Sequence, residues 1–293
     1  MGTLLYNRTC FSLLKSTLRI EQLKQFASEN GYQAIGICDQ NVLYSAQIAR
    51  NVFKDSNIKV IYGLEILIED LNEHFTFLLY AKNDEGFNQL AQISSIINIE
   101  HRNLTLTEFK THYHDLVAIL LDTSEDIFKE LRNRNYSQLQ NKLLHFKNEL
   151  PDCFLGYSRP NDPVWLEGYE HLTNISTSIN LPLVALSLAL YEYSDDFAGY
   201  KALMAIDQNL TINASGLKFE RDKELLSPEL LMNYPKDSLA NTDLIANECK
   251  VTFTKDKAQL PIYDCPKGLD SQVYLSLLSK KGLQKRFNNQ KVP

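Results

Sequence analysis

His112-Tyr113-His114 has the spacing of a metal-binding pair, because residues i and i+2 of a strand point the same way and two imidazoles would meet one ion. The pair precedes an apolar strand that begins at Leu116, at the end opposite the loops that follow the strands, and is read as surface histidines. Cys10 and Cys38, the latter beside Asp39, could supply a thiolate, but no histidine is placed to act as its base, so both are read as structural. Glu192, Asp195 and Asp196 could pair as acid and base, and capping by Ser194 or Asp195 explains them at less cost. Lys280, Lys281, Lys285 and Arg286 read as a solvated helix face, and the aromatic residues are not interleaved with basic ones as a base-stacking surface requires. The sequence contains no glycine-rich dinucleotide fingerprint, phosphate-binding loop or nucleophile elbow.

Such residues need elements to hold them, and the hydrophobic pattern supplies an alternation of strands and helices. Strands are expected at Leu4–Arg8, Ala34–Asp39, Lys59–Ile68, Phe75–Lys82, Leu116–Asp122, Cys153–Ser158 and Leu183–Tyr191. Helices are expected at Arg19–Asn30, capped by Gly31, at Val42–Lys54, after Asp84 as cap, and from Glu125. Six or seven strands alternating with helices over some 210 residues predict an α/β barrel with a largely parallel sheet. Two short helices are expected near Pro228–Tyr234 and Leu239–Cys249, a loop from Leu260, then a basic amphipathic helix carrying Tyr274, Leu277, Leu278 and Leu283. The ending at Gln290-Lys291-Val292-Pro293 has no natural stop and reads as a truncation.

Composition narrows the function classes. A hydrophobic content of 44% with 23% charged residues fits a folded domain with a sizeable core. No apolar run reaches the length of a bilayer span, and Met1–Leu5 opens no signal peptide. Five scattered cysteines without a C-x-x-C pair fit reduced thiols and a cytoplasmic setting. A net charge of −6 argues against a principal DNA-gripping surface, since such surfaces rely on Lys and Arg to neutralise phosphates.

Several phrases carry a resemblance. Phe11-Ser12-Leu13-Leu14 follows the first strand, Asp39 ends the second, and Asn57-Ile58-Lys59-Val60-Ile61-Tyr62-Gly63-Leu64-Glu65 forms the third. Leu79–Leu90 with Ser94-Ser95, Leu181–Ala185, Ser227-Pro228-Glu229, Leu239–Thr242, Ile245-Ala246, Cys249, Leu260-Pro261 and Gly282-Leu283 continue it. The pattern resembles the N-terminal polymerase-and-histidinol-phosphatase (PHP) domain of bacterial DNA polymerase III alpha subunits, over nearly the whole chain. The resemblance implies a distorted (β/α)7 TIM-like barrel over residues 1–210, a helical extension packed on it over 211–255, and the start of a polymerase palm over 256–293.

It also implies where a metal site would lie. Active members hold ions on His, Asp and Glu at the C-terminal strand ends, where an ion lowers the pKa of water and steadies phosphate oxygens. The first His-x-His falls on Tyr6-Asn7-Arg8, the next Asp on Lys15, and the His of Thr-Asp-His on Gln40. A fourth-strand His falls near Thr76, another ligand near Pro160, an Asp-x-His on Leu188-Ala189-Leu190, and the last His on Tyr200. Of those positions only Glu65 keeps a ligand type, with Asp39 beside it. The resemblance thus implies a dismantled metal site and no cofactor in this segment, with Arg8 reaching Glu65 or Asp39 in place of the ion.

The implied role is a catalytically silent scaffold of a replicative DNA polymerase, contacting that chain's palm and thumb and docking other replisome subunits. Primer-template DNA and Mg²⁺ would be engaged by palm aspartates beyond residue 293. The alternatives are a metal-dependent 3′–5′ exonuclease or phosphoesterase, which Tyr6, Arg8, Gln40, Leu188 and Leu190 disfavour, and a stand-alone adaptor.

Overall fold

In the computed structural model, the described residues are 2–158, 163–253 and 263–287, with the backbone alone for 163–166 and 267. The contacts divide the chain into Met1–Phe253 and Thr254–Pro293.

The first unit is built on a curled sheet. Its strands are β1 (Thr3–Asn7), β2 (Ala34–Gln40), β3 (Lys59–Asp70), β4 (Glu73–Ala81), β5 (Leu104–Thr105), β6 (Leu116–Leu120), β7 (Phe154–Tyr157) and β8 (Leu183–Ala185). Seven of them run in the order β1-β2-β3-β4-β6-β7-β8, with β5 paired to β3 off this path. Beyond β8 the chain returns to β1 through a parallel bridge between Asn7 and Ala189, where Arg8 N donates to Ala189 O at 3.1 Å. The fold is α/β and barrel-like, as the strand–helix alternation predicts. The late strand is shorter than expected, ending at Ala185 instead of Tyr191.

One strand reverses. β3 and β4 form an antiparallel hairpin, and β4 is antiparallel to β6 as well. Leu71 and Asn72 turn the chain with φ of 51° and 63°, the positive values that a two-residue hairpin turn requires. No room for a crossover helix exists between these strands, so the expected strand–helix alternation fails here.

Helices α1 (Ile20–Glu29), α2 (Ala46–Phe53), α3 (Asp84–Glu100), α4 (Leu106–Thr111), α5 (Glu125–Arg132), α6 (Tyr136–Glu149), α7 (Pro163–Ser178) and α8 (Phe197–Asp207) come from the connections, and α9 (Pro228–Leu231) and α10 (Lys236–Glu248) follow. Gly31 takes φ of +70° after α1, as its capping role demands. Asn83, not Asp84, caps α3: its side chain accepts from the Gly86 amide at 2.9 Å. The outer sheet face packs against helices through Leu64, Ile66, Phe77, Leu79 and Leu155. The inner face gathers Leu5, Tyr6, Cys38, Ile61, Leu78, Tyr80, Val117, Ile119, Leu121, Val184 and Leu186. Ile245, Ala246 and Cys249 of α10 join that inner cluster, and Asn241 and Thr242 donate to the carbonyls of Leu183 and Ala185. α10 therefore fills the end of the barrel where the parallel strands begin.

The second unit contains α11 (Ser271–Arg286), capped by Asp270, whose carboxylate accepts from the Gln272 amide at 2.8 Å.

Candidate active site

The mouth of the sheet is set by a bulge. Leu4 pairs with Ile35 and Asn7 with Ile37, so Leu5 and Tyr6 together oppose Gly36. Gly36 is required there, because a Cβ would stand 2.2 Å from the Leu5 carbonyl oxygen. The bulge lets Leu5 and Tyr6 both join the inner cluster, and Tyr80 OH donates to the Leu5 carbonyl at 2.8 Å. Asn7 turns the other way, donating to the carbonyls of Leu4 and Gly36.

Two residues after Tyr6, Arg8 reaches Glu65. Nη2 donates to both carboxylate oxygens at 2.7 and 2.6 Å, and Nε donates to Oε2 at 3.2 Å. Tyr6 OH donates to the same Oε2 at 2.8 Å. Glu65 is 4% exposed, so the pair is largely removed from water. Burial lowers the proton affinity of the Arg8 guanidinium, but Glu65 and Tyr6 outweigh it and the net shift is upward. The Tyr6 hydroxyl is pushed well above the usual phenol range, by burial first and by the Glu65 charge second. Both groups hold their protons, and neither is poised as a general base.

Around this pair lies a cavity of about 240 Å³ lined by Tyr6, Arg8, Glu65, Thr76 and Leu188, with Leu121, Thr123, Ser158, Leu186, Ser187, Glu220, Lys223 and Tyr234. Five positions that the resemblance marks as ligand sites therefore meet at one mouth. Gln40 stands beside Glu65 in the β2–β3 register but is not among the lining residues.

The others are elsewhere. Asp39 pairs in register with Leu64, on the opposite sheet face from Glu65. Its buried carboxylate accepts from Thr9 N (2.8 Å), Thr9 Oγ1 (2.9 Å), Ser12 Oγ (2.8 Å) and Ser45 Oγ (2.5 Å). Asp39 thus organises the loop after β1, and of the two carboxylates offered as partners of Arg8 it is Glu65 that takes the guanidinium. Lys15 pairs with Asp207 at 2.6 Å on the surface, its side chain 40% exposed. Leu190 and Tyr200 are buried together in a cluster with Tyr191, Met204 and Leu217. Pro160 lies outside the described residues.

The capping expected around Glu192, Asp195 and Asp196 is present, but it comes from Asp196, which accepts from the Tyr193 amide (3.1 Å), and not from Ser194 or Asp195; Glu192 accepts from Gln22 (2.6 Å). Cys38 is sealed in the inner cluster, where burial first and Glu65 next raise its thiol well above the ordinary range.

Sequence reading missed Asp122 and Ser158. Asp122 follows β6 fully buried and accepts from Ser158 N (2.7 Å), Ser158 Oγ (2.8 Å) and Tyr169 OH (2.5 Å). Burial raises its carboxyl above the ordinary value, against the hydrogen bonds of Tyr169 and Ser158. The available signal was a carboxylate ending an apolar strand, Leu116–Asp122, which no solvent exposure would explain.

A divalent ion needs several carboxylate or imidazole donors converging on one point. Among the described residues no three His, Cys, Asp or Glu side chains converge in that way. At the mouth both oxygens of Glu65 are taken by a guanidinium, and the other lining residues are hydroxyls and leucines with one further carboxylate, Glu220, and one further cation, Lys223. This donor set does not fit the metal cluster of the active family members.

Comparison with known proteins agrees with the sequence resemblance. Residues 5–155, a little over half of the chain, match the PHP domain family. The chain is 22% identical to DNA polymerase III subunit alpha of Halalkalibacterium halodurans, over 96% of its length and 26% of that protein. It is 24% identical to the Bacillus subtilis protein of the same name, over 94% and 26%, and 26% identical to an error-prone DNA polymerase of Saccharophagus degradans, over 97% and 27%. It spans about a quarter of the length of these relatives. An amidohydrolase of Chromobacterium violaceum superposes with a TM-score of 0.43 at 9% identity, over 64% of this chain and 87% of that one. With a curled α/β sheet and a family match across its first six strands, this chain belongs to the PHP domain family.

Proposed function

We propose that the chain is the N-terminal PHP region of a replicative DNA-directed DNA polymerase, itself without hydrolytic activity, and that it serves as a scaffold for the polymerase core and a docking platform for other subunits. Relatives named DNA polymerase III subunit alpha, matched over 94–96% of this chain, support the polymerase setting. The observation that carries the silent role is the Arg8–Glu65 pair. A guanidinium bound to both oxygens of the carboxylate supplies the positive charge that an ion would bring, but no exchangeable position for a water nucleophile. Within this reading residues 1–210 are the barrel, 211–255 an extension on it, and 256–293 the entry to the palm. The activity, DNA contacts and Mg²⁺ of the parent enzyme belong to the palm, and the setting is cytoplasmic.

The test is metal content after purification without chelator, together with p-nitrophenyl phosphate hydrolysis in Mn²⁺. The expected result is no stoichiometric metal and no turnover above the protein-free blank. Stoichiometric metal, with turnover abolished by Glu65→Ala, would establish the phosphoesterase alternative instead.

A further inference from the structure

A crevice in the first unit, between α7 and the turn that joins α9 to α10, gathers polar groups that the fold does not use. Its volume of about 650 Å³ is within the range of ordinary ligand sites. Tyr157 of β7, Tyr169 of α7 and Tyr234 of the turn line it. The Tyr157 ring stands edge-on to Tyr169, with centroids 4.9 Å apart, and to Tyr234 at 6.2 Å. Tyr169 OH donates to Asp122 at 2.5 Å and Tyr234 OH to the Leu186 carbonyl at 2.9 Å, so both walls are anchored to the barrel. With those hydroxyls spent inside, Tyr169 and Tyr234 offer the crevice ring surface. Glu170, Asn174 and Asn233 stand exposed around the rings. Glu170 and Asn174 are one helical turn apart on α7 and share a face. Glu170 is the one charged group among the described lining residues, and no ion pair among the described residues includes it. Neither carboxamide bonds to another described residue.

We propose that this crevice binds the guanidinium of an arginine carried on a peptide segment of a partner protein. Tyrosine ring faces attract a cation, and a planar guanidinium stacks on them where a compact ammonium does not. Its N–H fork matches the Glu170 carboxylate and supplies the missing counter-charge. A carboxylate alone accepts any cation; the carboxamides select the carrier. Each offers a donor and an acceptor, the two groups that a peptide unit needs. Because both walls are fixed before the ligand arrives, binding costs little ordering of the site. For its setting the inference rests on the docking role proposed above; what it adds is the chemistry of one docked partner.

The test is a titration of the isotope-labelled full chain, followed by NMR, with the peptide acetyl-Gly-Arg-Gly-amide and its citrulline analogue, which keeps the shape and loses the charge. The arginine peptide is expected to shift the backbone amides of Asn174 and Asn233 saturably, with an affinity at least about tenfold above that of the citrulline peptide. Glu170→Gln, a change at an exposed position, should bring the two peptides to within about twofold of each other. Butylguanidinium, which lacks the peptide units, should bind at least about tenfold more weakly than the arginine peptide. The proposal is overturned if the two peptides bind alike, if neither shifts these amides, or if Glu170→Gln leaves the preference intact. Butylguanidinium binding as tightly as the peptide overturns it as well, since the carboxamides then recognise no peptide. None of these results bears on metal content or phosphate-ester hydrolysis, so the polymerase reading stands or falls separately.

Discussion

Replacing Arg8 by methionine keeps most of the aliphatic length and leaves the Glu65 carboxylate buried with Tyr6 OH as its donor. Three N–H···O contacts between 2.6 and 3.2 Å disappear. Two unit charges about 4 Å apart at an effective dielectric near 20 attract by about 4 kcal/mol. Removing one partner of a buried pair typically costs about 3–5 kcal/mol. Tyr6 offsets about 1 kcal/mol of this by its retained bond. Arg8→Met should therefore lower unfolding stability by about 3 kcal/mol, read as a shift of the urea midpoint with unchanged slope. The double variant Arg8→Met/Glu65→Leu removes the orphaned charge as well. It should recover to within about 1 kcal/mol of the wild type, or exceed it, because apolar replacement of a buried pair is often neutral or stabilising. A loss below about 1 kcal/mol in the single variant, or a double variant no better than the single, would refute a buried pair of this kind.

Lys15→Met breaks only the surface pair to Asp207 and should change stability by less than about 1 kcal/mol in the same titration. Gly36→Ala drives a Cβ into the Leu5 carbonyl and should cost more than about 2 kcal/mol by thermal or urea unfolding; a neutral result would mean that the bulge is not fixed. Glu130 accepts from the Lys142 ammonium (2.8 Å), which also binds Glu73 (2.7 Å), and this hydrogen bond holds its carboxyl below the ordinary 4.5. A depressed carboxyl contributes stability above its unfolded value and loses it as pH falls through the folded one. Glu130→Gln should accordingly flatten the decline of stability below about pH 4.5, and an unchanged acid limb would count against it.

Much of this architecture is legible in the chain. Apolar runs such as Ala34-Ile35-Gly36-Ile37-Cys38 and Leu116–Leu120 are strands because they are buried on both faces, and Gly31 ends α1 as its freedom of φ suggests. The β3–β4 hairpin was not legible, since Leu71-Asn72 takes a turn geometry that usually advertises itself with glycine. At the site, the contact from Arg8 to a carboxylate follows from charge balance and from its two-residue spacing to Tyr6. The choice between carboxylates needed the register, which sets Gln40 beside Glu65 and sends Asp39 to the other face. Strict alternation also fails along β1, where the bulge opposite Gly36 brings Leu5 and Tyr6 inward together. Lys15 lies in a loop, where no periodicity fixes a side chain's direction, and it pairs with Asp207 at the surface instead of entering the mouth. The role of Asp122 is not legible in the sequence because its donors, Ser158 and Tyr169, lie far away along the chain.

Anomalous diffraction from crystals soaked in Mn²⁺ or Zn²⁺ examines the mouth most directly. Charge replacement by Arg8 predicts a guanidinium on both Glu65 oxygens and no anomalous peak within coordinating distance of that carboxylate. Two or more ordered ions there, with Arg8 displaced, would contradict it.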